Sequence, residues 1–315
     1  MTDGFGRVLD YLRISVTELC NYRCRYCMDE TGVGKRGHEE ILRLEELAEI
    51  AAAAVALGVK KIRLTGGEPL VRRGILDLCR MLADLPGLEE LTMTTNGSLL
   101  SELASELRRA GVNRLNISLD SLSPARFADL TRRGRLSDVL AGIEAAEDAG
   151  FRHTKLNAVL LGGVNTDELS DLATLARDRA LSVRFIELMP IGVCADWPPE
   201  RFVSADAVLQ AVPGLEPVGT DGVAALYTIP GWKGTVGLIR PMSCGFCDRC
   251  SRLRLTADGK LKPCLHSSEE IPLRGLHGDD LSAAILEAAA RKPRQHALTA
   301  QGRSDSPRRM HEIGG

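Results

Sequence analysis

From Leu12 to Pro190, short runs of alternating apolar and polar residues give way to longer runs with helical periodicity. Leu12-Arg13-Ile14-Ser15-Val16 opens the series. The pattern predicts strands at residues 12–17, 61–65, 90–95, 114–119, 155–161 and 183–187. It predicts helices at 44–57, 76–85, 99–110, 139–149 and 168–179. Gly58, Gly111 and Gly150 stand just past three of these runs, where a C-cap glycine ends a helix. Six strand–helix alternations imply parallel strands joined by right-handed crossovers. Six strands are too few to close the eight-stranded barrel. The expected fold is therefore α/β, a partial (β/α)6 TIM-like barrel open on one side.

After Pro190 the character changes. Asp196-Trp197-Pro198-Pro199 reads as a loop and 203–212 as a short helix. Residues 225–229 and 234–239 read as antiparallel strands around a Pro230-Gly231 turn. The expected division is a barrel, residues 1–222, and a C-terminal region, 223–315, lying as a lid across the open side. A hydrophobic content of 44% is ample for a core, and a net charge of -2 leaves no global pull toward nucleic acid or membrane. Any anion site must then be local. The longest apolar run, 50–59, is far too short to span a bilayer. Residues 1–10 carry no apolar signal region, so a cytoplasmic protein is expected. In that setting nine cysteines read as reduced thiols and metal ligands rather than disulfides.

Parallel α/β architectures gather function at the C-terminal ends of their strands. The polar tips here are Cys20 to Cys27, Thr65-Gly66-Gly67-Glu68-Pro69, Thr94-Thr95-Asn96-Gly97, Ser118-Leu119-Asp120-Ser121, Lys155-Leu156-Asn157 and Glu187-Leu188-Met189-Pro190. In the first tip Cys20, Cys24 and Cys27 can aim three sulfurs at one centre from a single loop. Thiolate softness restricts that centre to zinc, copper(I) or an iron–sulfur cluster. A closed four-iron cluster wants four thiolates, and the next cysteine is Cys79. Three ligands would leave one iron open to a substrate. A second set, Cys247, Cys250 and Cys264, brackets Arg252-Leu253-Arg254-Leu255-Thr256-Ala257-Asp258-Gly259. Asp258-Gly259 is a hairpin signal that would return Cys264 toward the other two. Cys244, just upstream, could be a fourth ligand and give a closed, zinc-ribbon-like or electron-transfer site.

The Cys-x3-Cys-x2-Cys spacing with Tyr26 before the last cysteine resembles the radical S-adenosylmethionine (SAM) enzymes. The second set, with its Arg-x-Arg-Leu-Thr-x-Asp-Gly insert, resembles one subfamily, the GTP 3′,8-cyclases of molybdenum-cofactor biosynthesis. The resemblance runs from Leu12 to the terminal Gly314-Gly315. It departs at Asp29 and Arg309, where proline is common, at Ser251, where asparagine is usual, and at the extra Cys244.

The resemblance implies two [4Fe–4S] clusters, on Cys20, Cys24, Cys27 and on Cys247, Cys250, Cys264. It implies SAM contacts at Tyr26, Gly67, Ser118 and Met189. Gly66 and Gly67 would admit the SAM amino group, and Glu68 would accept from it or support the turn. GTP contacts fall on Arg13, Arg63, Thr94, Lys155, Arg252 and Arg254, and the catalytic set is Arg252, Arg254, Gly314 and Gly315. In that family SAM is cleaved to a 5′-deoxyadenosyl radical, a hydrogen leaves C3′ of GTP, and C3′ bonds to guanine C8. The resemblance further implies a reductant protein, product hand-off to cyclic pyranopterin monophosphate synthase, and a homodimer, with no nucleic acid and no membrane.

The residues add an independent argument for an anion. Arg13, Lys61, Arg63, Lys155 and Arg184 lie on predicted strands or at their ends, all but Lys61 at barrel-interior parity or a strand end. Buried charges are unfavourable unless paired, whereas a triphosphate needs several cations. From Arg291 to Arg309 the tail carries six Lys/Arg against one acidic residue. Composition makes it a solvated tail, and the resemblance threads Gly314-Gly315 into the barrel. Two rivals stand beside the cyclase. A peptide-modifying radical SAM enzyme would carry more C-terminal cysteines than the four after Cys194. A zinc-ribbon nucleic-acid module would show a basic face with stacking aromatics, but aromatics are 4% of the chain.

Overall fold

The computed structural model describes residues 1–34, 37–296, 298, 302 and 304–314. Strands β1 to β6 are Tyr11–Ser15, Lys61–Thr65, Glu90–Thr95, Arg114–Ser118, Lys155–Leu160 and Ser182–Glu187. They pair in parallel in sequence order. Helices α1 to α6 are Leu44–Ala56, Ile75–Ala83, Leu100–Arg109, Pro124–Thr131, Leu136–Asp148 and Leu169–Thr174. The strands fall where the alternation puts them, and Gly58, Gly111 and Gly150 do follow helix ends in left-handed conformations.

Two helices differ from expectation. The helix expected over 168–179 ends at Thr174 because the carbonyls beyond it are engaged elsewhere. Ala176 O accepts from Gly234 N at 2.8 Å and Arg177 O from Lys233 N at 2.9 Å. Helix α4 was not predicted, although Ser123 caps it at Arg126 N and Pro124 takes its first position.

Beyond β6 come the short helix α7, Asp206–Ala211, and strands β7 to β9, Glu216–Asp221, Ala224–Thr228 and Thr235–Ile239. Strands β10 to β12 are Arg252–Leu255, Lys260–Lys262 and Ile271–Pro272. The expected antiparallel pair is β8 with β9, but it forms no separate lid. β9 adds in parallel to the β6 edge, and β10 adds in parallel to the β1 edge. The C-terminal region thus lengthens the barrel wall at both edges, giving one twelve-stranded sheet ordered β12-β11-β10-β1-β2-β3-β4-β5-β6-β9-β8-β7. Residue 222 lies in the turn joining the paired strands β7 and β8.

The alternation inverts the usual filling of a parallel barrel. Leu12, Ile14, Ile62, Leu64, Leu115, Ile117, Leu156, Val183, Phe185, Leu253 and Leu255 are buried in one core with the apolar helix faces. The residues between them, including Arg13, Arg63, Asn116, Lys155, Asn157, Arg184 and Arg254, line a cavity of about 560 Å³. Core packing therefore presents a polar inner face.

Candidate active site

The cysteine loop follows β1, and Cys20, Cys24 and Cys27 all line the cavity. Its fold is local and tight. Cys27 N donates to Cys24 O at 2.9 Å, and Tyr22 N donates to Cys20 Sγ at 3.4 Å. The unpredicted helix α4 is what holds the loop. Arg23 N and Arg25 N donate to Thr131 O and Leu130 O, each at 2.9 Å, and Arg132 Nη1 donates to the carbonyls of Arg23 and Met28. Burial pushes the Cys20 thiol up to about 11 and the Cys27 thiol up to about 12. A bound cationic centre reverses that trend by stabilising thiolates. Among the described residues no three His, Cys, Asp or Glu side chains gather tightly enough for a single metal ion. Three sulfurs offered from one loop are donors for a soft centre, an iron–sulfur cluster among them.

The next two tips brace this loop. A Cβ on Gly66 would collide with Thr17 O, and one on Gly67 with the carbonyls of Glu18 and Leu19. The missing side chains thus let the turn pack against the chain entering the cysteine loop, and both glycines also line the cavity. Glu68 is fully engaged. It accepts from Leu70 N at 3.0 Å, Thr95 Oγ1 at 2.8 Å and Asn96 N at 2.6 Å. Of the two roles expected for it, the geometry shows the support of the turn. Burial raises its carboxyl to about 7.

Tyr26, Ser118 and Met189 line the same side of the chain's strand tips as the loop and face the cavity. Two residues not singled out from the sequence organise them. Asp120 accepts from Tyr26 Oη at 2.6 Å and Val159 N at 2.8 Å, and burial raises its carboxyl to about 6. The Cys194 thiol lies 3.3–3.4 Å from the carbonyls of Ile191, Tyr26 and Met189, drawing those segments together. Asp120 sits in a tip that alternation had flagged, whereas Cys194 has no motif to betray it.

The expected GTP cations form a row. In register, Arg254 of β10 pairs with Arg13 of β1, which pairs with Arg63 of β2, which pairs with Thr92 of β3. Arg63 Nε donates to Thr92 Oγ1 at 3.2 Å. Like charges directly opposite on neighbouring strands destabilise a sheet. Burial and the neighbouring Arg254 hold Arg13 well below its ordinary value, and burial lowers Arg254 to about 10. The row therefore concentrates positive charge on one wall of the cavity.

Across the cavity Lys155 Nζ and Arg184 Nη2 share Asp221, at 2.5 and 2.6 Å. Burial, with Arg184 beside it, lowers Lys155 to about 7. Arg252 stacks 5.9 Å from the Tyr11 ring and 5.6 Å from the Phe246 ring, and Thr94 lines the same cavity. Lys61 corrects the sequence reading. It shares the inner face of β2 with Arg63, lines the cavity, and is ion-paired to Glu90.

Cys247, Cys250 and Cys264 line the cavity as well. Strands β10 and β11 pair as the hairpin expected from Asp258-Gly259. Burial raises the Cys250 thiol, but Lys292, Arg252 and Arg254 outweigh it and leave it below its ordinary value. Cys244 is exposed and does not line the cavity. The tail does not float. Arg308 forks onto Glu270 at 2.5 and 2.8 Å and reaches Asp258 at 2.8 Å. Met310–Ile313 then form a helical turn, and Arg254 Nη1 donates to Gly314 O at 2.7 Å. Gly315 lies outside the described residues. Arg309 is ion-paired to Asp29, so two of the departures from the family pattern meet each other.

The sequence pattern of the Radical SAM superfamily matches residues 14–176, and that of Molybdenum Cofactor Synthesis C matches 181–298. The GTP 3′,8-cyclase of Peptoclostridium acidaminophilum is 51% identical over 100% of this chain and 98% of its own length. That of Moorella thermoacetica is 49% identical over 100% of both chains. The chain belongs to the GTP 3′,8-cyclase family of radical SAM enzymes. Among solved structures, Streptococcus suis SuiB bound to its precursor peptide SuiA matches with a TM-score of 0.61 at 14% identity. That match covers 95% of this chain and 67% of SuiB. SuiB bound to S-adenosylmethionine matches at 0.58 and 15% identity, over 89% of this chain and 68% of SuiB. At such identities the likeness speaks for the fold alone.

GTP 3′,8-cyclases carry two [4Fe–4S] clusters and use SAM, and the two cavity-lining cysteine triads fit that requirement in number and chemistry. Family membership removes the zinc-ribbon and peptide-modifying alternatives. No helix among the described residues is long and apolar enough to cross a membrane.

Proposed function

We propose that the chain converts GTP to (8S)-3′,8-cyclo-7,8-dihydroguanosine 5′-triphosphate, the first step of molybdopterin biosynthesis, with the residues of this one cavity in the following roles. The observation that carries the reading is the Arg254–Arg13–Arg63 row facing a cavity that both cysteine triads share. Cys20, Cys24 and Cys27 would hold the cluster that binds SAM, and Cys247, Cys250 and Cys264 the second cluster. When bound, the first cluster and SAM supply a 5′-deoxyadenosyl radical able to take a hydrogen atom from a ribose carbon.

The chain's own residues bind and orient. Tyr26, Gly67, Ser118 and Met189 take the SAM side, with Asp120 fixing Tyr26. Arg13, Arg63, Thr94 and Lys155 neutralise the triphosphate, whose several charges match several cations. Arg252 and Arg254 work between triphosphate and second cluster, and Arg254 also holds the carbonyl of Gly314. Gly314, where a Cβ would meet Thr65 Oγ1, would help close the cavity and keep water from a reactive intermediate, and the family resemblance gives Gly315 the same role. Outside the chain, the reading takes a reductant protein as electron source and cyclic pyranopterin monophosphate synthase as consumer of the product. It also takes a homodimer in the cytoplasm.

Anaerobic protein with reconstituted clusters, SAM, reductant and GTP carrying deuterium at C3′ is expected to release deuterated 5′-deoxyadenosine and the cyclised nucleotide. Release of 5′-deoxyadenosine without deuterium would refute abstraction at C3′.

A further inference from the structure

The terminal turn Met310–Ile313 carries a buried imidazole that none of these roles uses. His311 is 1% exposed and lines the cavity beside the first cysteine loop. Its Nδ1 lies 3.3 Å from the carbonyl oxygen of Cys27. A carbonyl can only accept, so in the neutral ring Nδ1 carries the hydrogen and Nε2 presents a bare lone pair. Nε2 is buried and has no hydrogen-bond partner. A buried acceptor left without a donor is costly, and here it belongs to a ring that borders the ligand cavity.

The turn that carries the ring is also held from both sides. Arg308 ties the start of the turn to Glu270 and Asp258 on the second-triad side, and Arg309 ties it to Asp29 beside the first triad. Arg254 fixes the carbonyl of Gly314 after it. A side chain fixed by neighbours on either side keeps its orientation when ligand enters, as a binding group must.

We propose that His311 is a ligand-binding residue whose Nε2 accepts a hydrogen bond from an N–H or O–H group of a molecule held between the two triads. The inference rests on the functional reading above. Two molecules bring such donors into the cavity, SAM and the nucleotide.

Two amide substitutions separate this role from a purely structural one. In His311→Asn the amide nitrogen can stand where Nδ1 stood and keep the bond to Cys27 O, but nothing replaces Nε2. In His311→Gln the amide oxygen can stand where Nε2 stood, but the bond to Cys27 O is lost. Dissociation constants for SAM alone and GTP alone are measured on anaerobic, cluster-loaded full-length protein, with iron content determined for each variant. His311→Asn is expected to weaken one ligand by about tenfold at unchanged iron content, the size of one lost buried hydrogen bond. His311→Gln is expected to stay near the unsubstituted affinity. Weakened SAM names SAM as the donor molecule, and weakened GTP names the nucleotide. If His311→Asn binds both ligands normally, or if His311→Gln is the more damaging change, the proposal is overturned. Failure of the unsubstituted protein to bind either ligand would instead reject the functional reading itself.

Discussion

Gly314 shows how much one residue position can decide. It takes a left-handed conformation, φ +70°, and a Cβ there would collide with Thr65 Oγ1. Its carbonyl is meanwhile fixed by Arg254. Gly314→Ala is therefore expected to cut turnover by about a hundredfold or more, since misplacement near the chemistry is that costly. Iron content should stay unchanged, as no cysteine lies in the tail. Turnover within a factor of about two of the unsubstituted protein would remove the tail from the mechanism.

Lys155 gives the pH dependence. Its ordinary value of 10.5 is lowered to about 7 by burial and by Arg184, so it is largely neutral in the free protein above that pH. Phosphate binds the charged form, so binding above pH 7 takes up a proton. GTP affinity is expected to weaken between pH 7.5 and 9, by at most about tenfold per unit for one proton. Lys155→Arg, charged throughout, should flatten the profile. Equal slopes in the two proteins would exclude Lys155 as the titrating group. At the same scale, the Asp29–Arg309 pair is half exposed and worth only about 0–1 kcal/mol. It gives the turn a link to the cysteine loop that proline at either position could not make.

At the scale of elements, the parallel strands were legible because most of them alternate, and the alternation also revealed which side chains face inward. Lys61 was misjudged against that rule, although it is two residues before Arg63 and must share its face. Helix α4 was overlooked because its eight residues fall between two stronger signals, yet it anchors the cysteine loop through its last carbonyls. The expected lid was misplaced for a physical reason. Residues 234–239 read correctly as a strand, but local pattern does not say which edge a strand will join, and an open barrel offers two.

The tail was ambiguous on composition alone. What docks it is a buried ion cluster assembled from distant segments. Arg308 meets Glu270 and Asp258 with side chains 9–13% exposed. Breaking a buried ion pair costs up to about 3–5 kcal/mol, and Glu270 keeps Lys260 and Lys262 when Arg308 is removed. Arg308→Leu is expected to release the tail to limited proteolysis and to lower unfolding stability by a few kcal/mol in denaturant titrations. A tail as protected as before would show that other contacts suffice.

On the scale of the whole molecule, the sheet packs its apolar side outward against helices and keeps its polar side for chemistry. That inversion costs stability wherever arginines face one another, and it lines the cavity with positive charge. The fold, both triads and the inward side of Arg13 and Arg63 could be read from spacing and parity, whereas Arg254 came from the family resemblance. The braces could not, because Asp120 on Tyr26, Cys194 on two loops and His311 on Cys27 depend on contacts between segments far apart in the chain.

The account stands on two incompletely ligated clusters opening on one cavity, each reserved for its own ligand. Electron paramagnetic resonance of the anaerobically reduced protein tests this most directly, with SAM and GTP added separately. The expected result is two distinguishable signals, one shifted by SAM alone and the other by GTP alone. A spectrum in which neither addition alters either signal would contradict it.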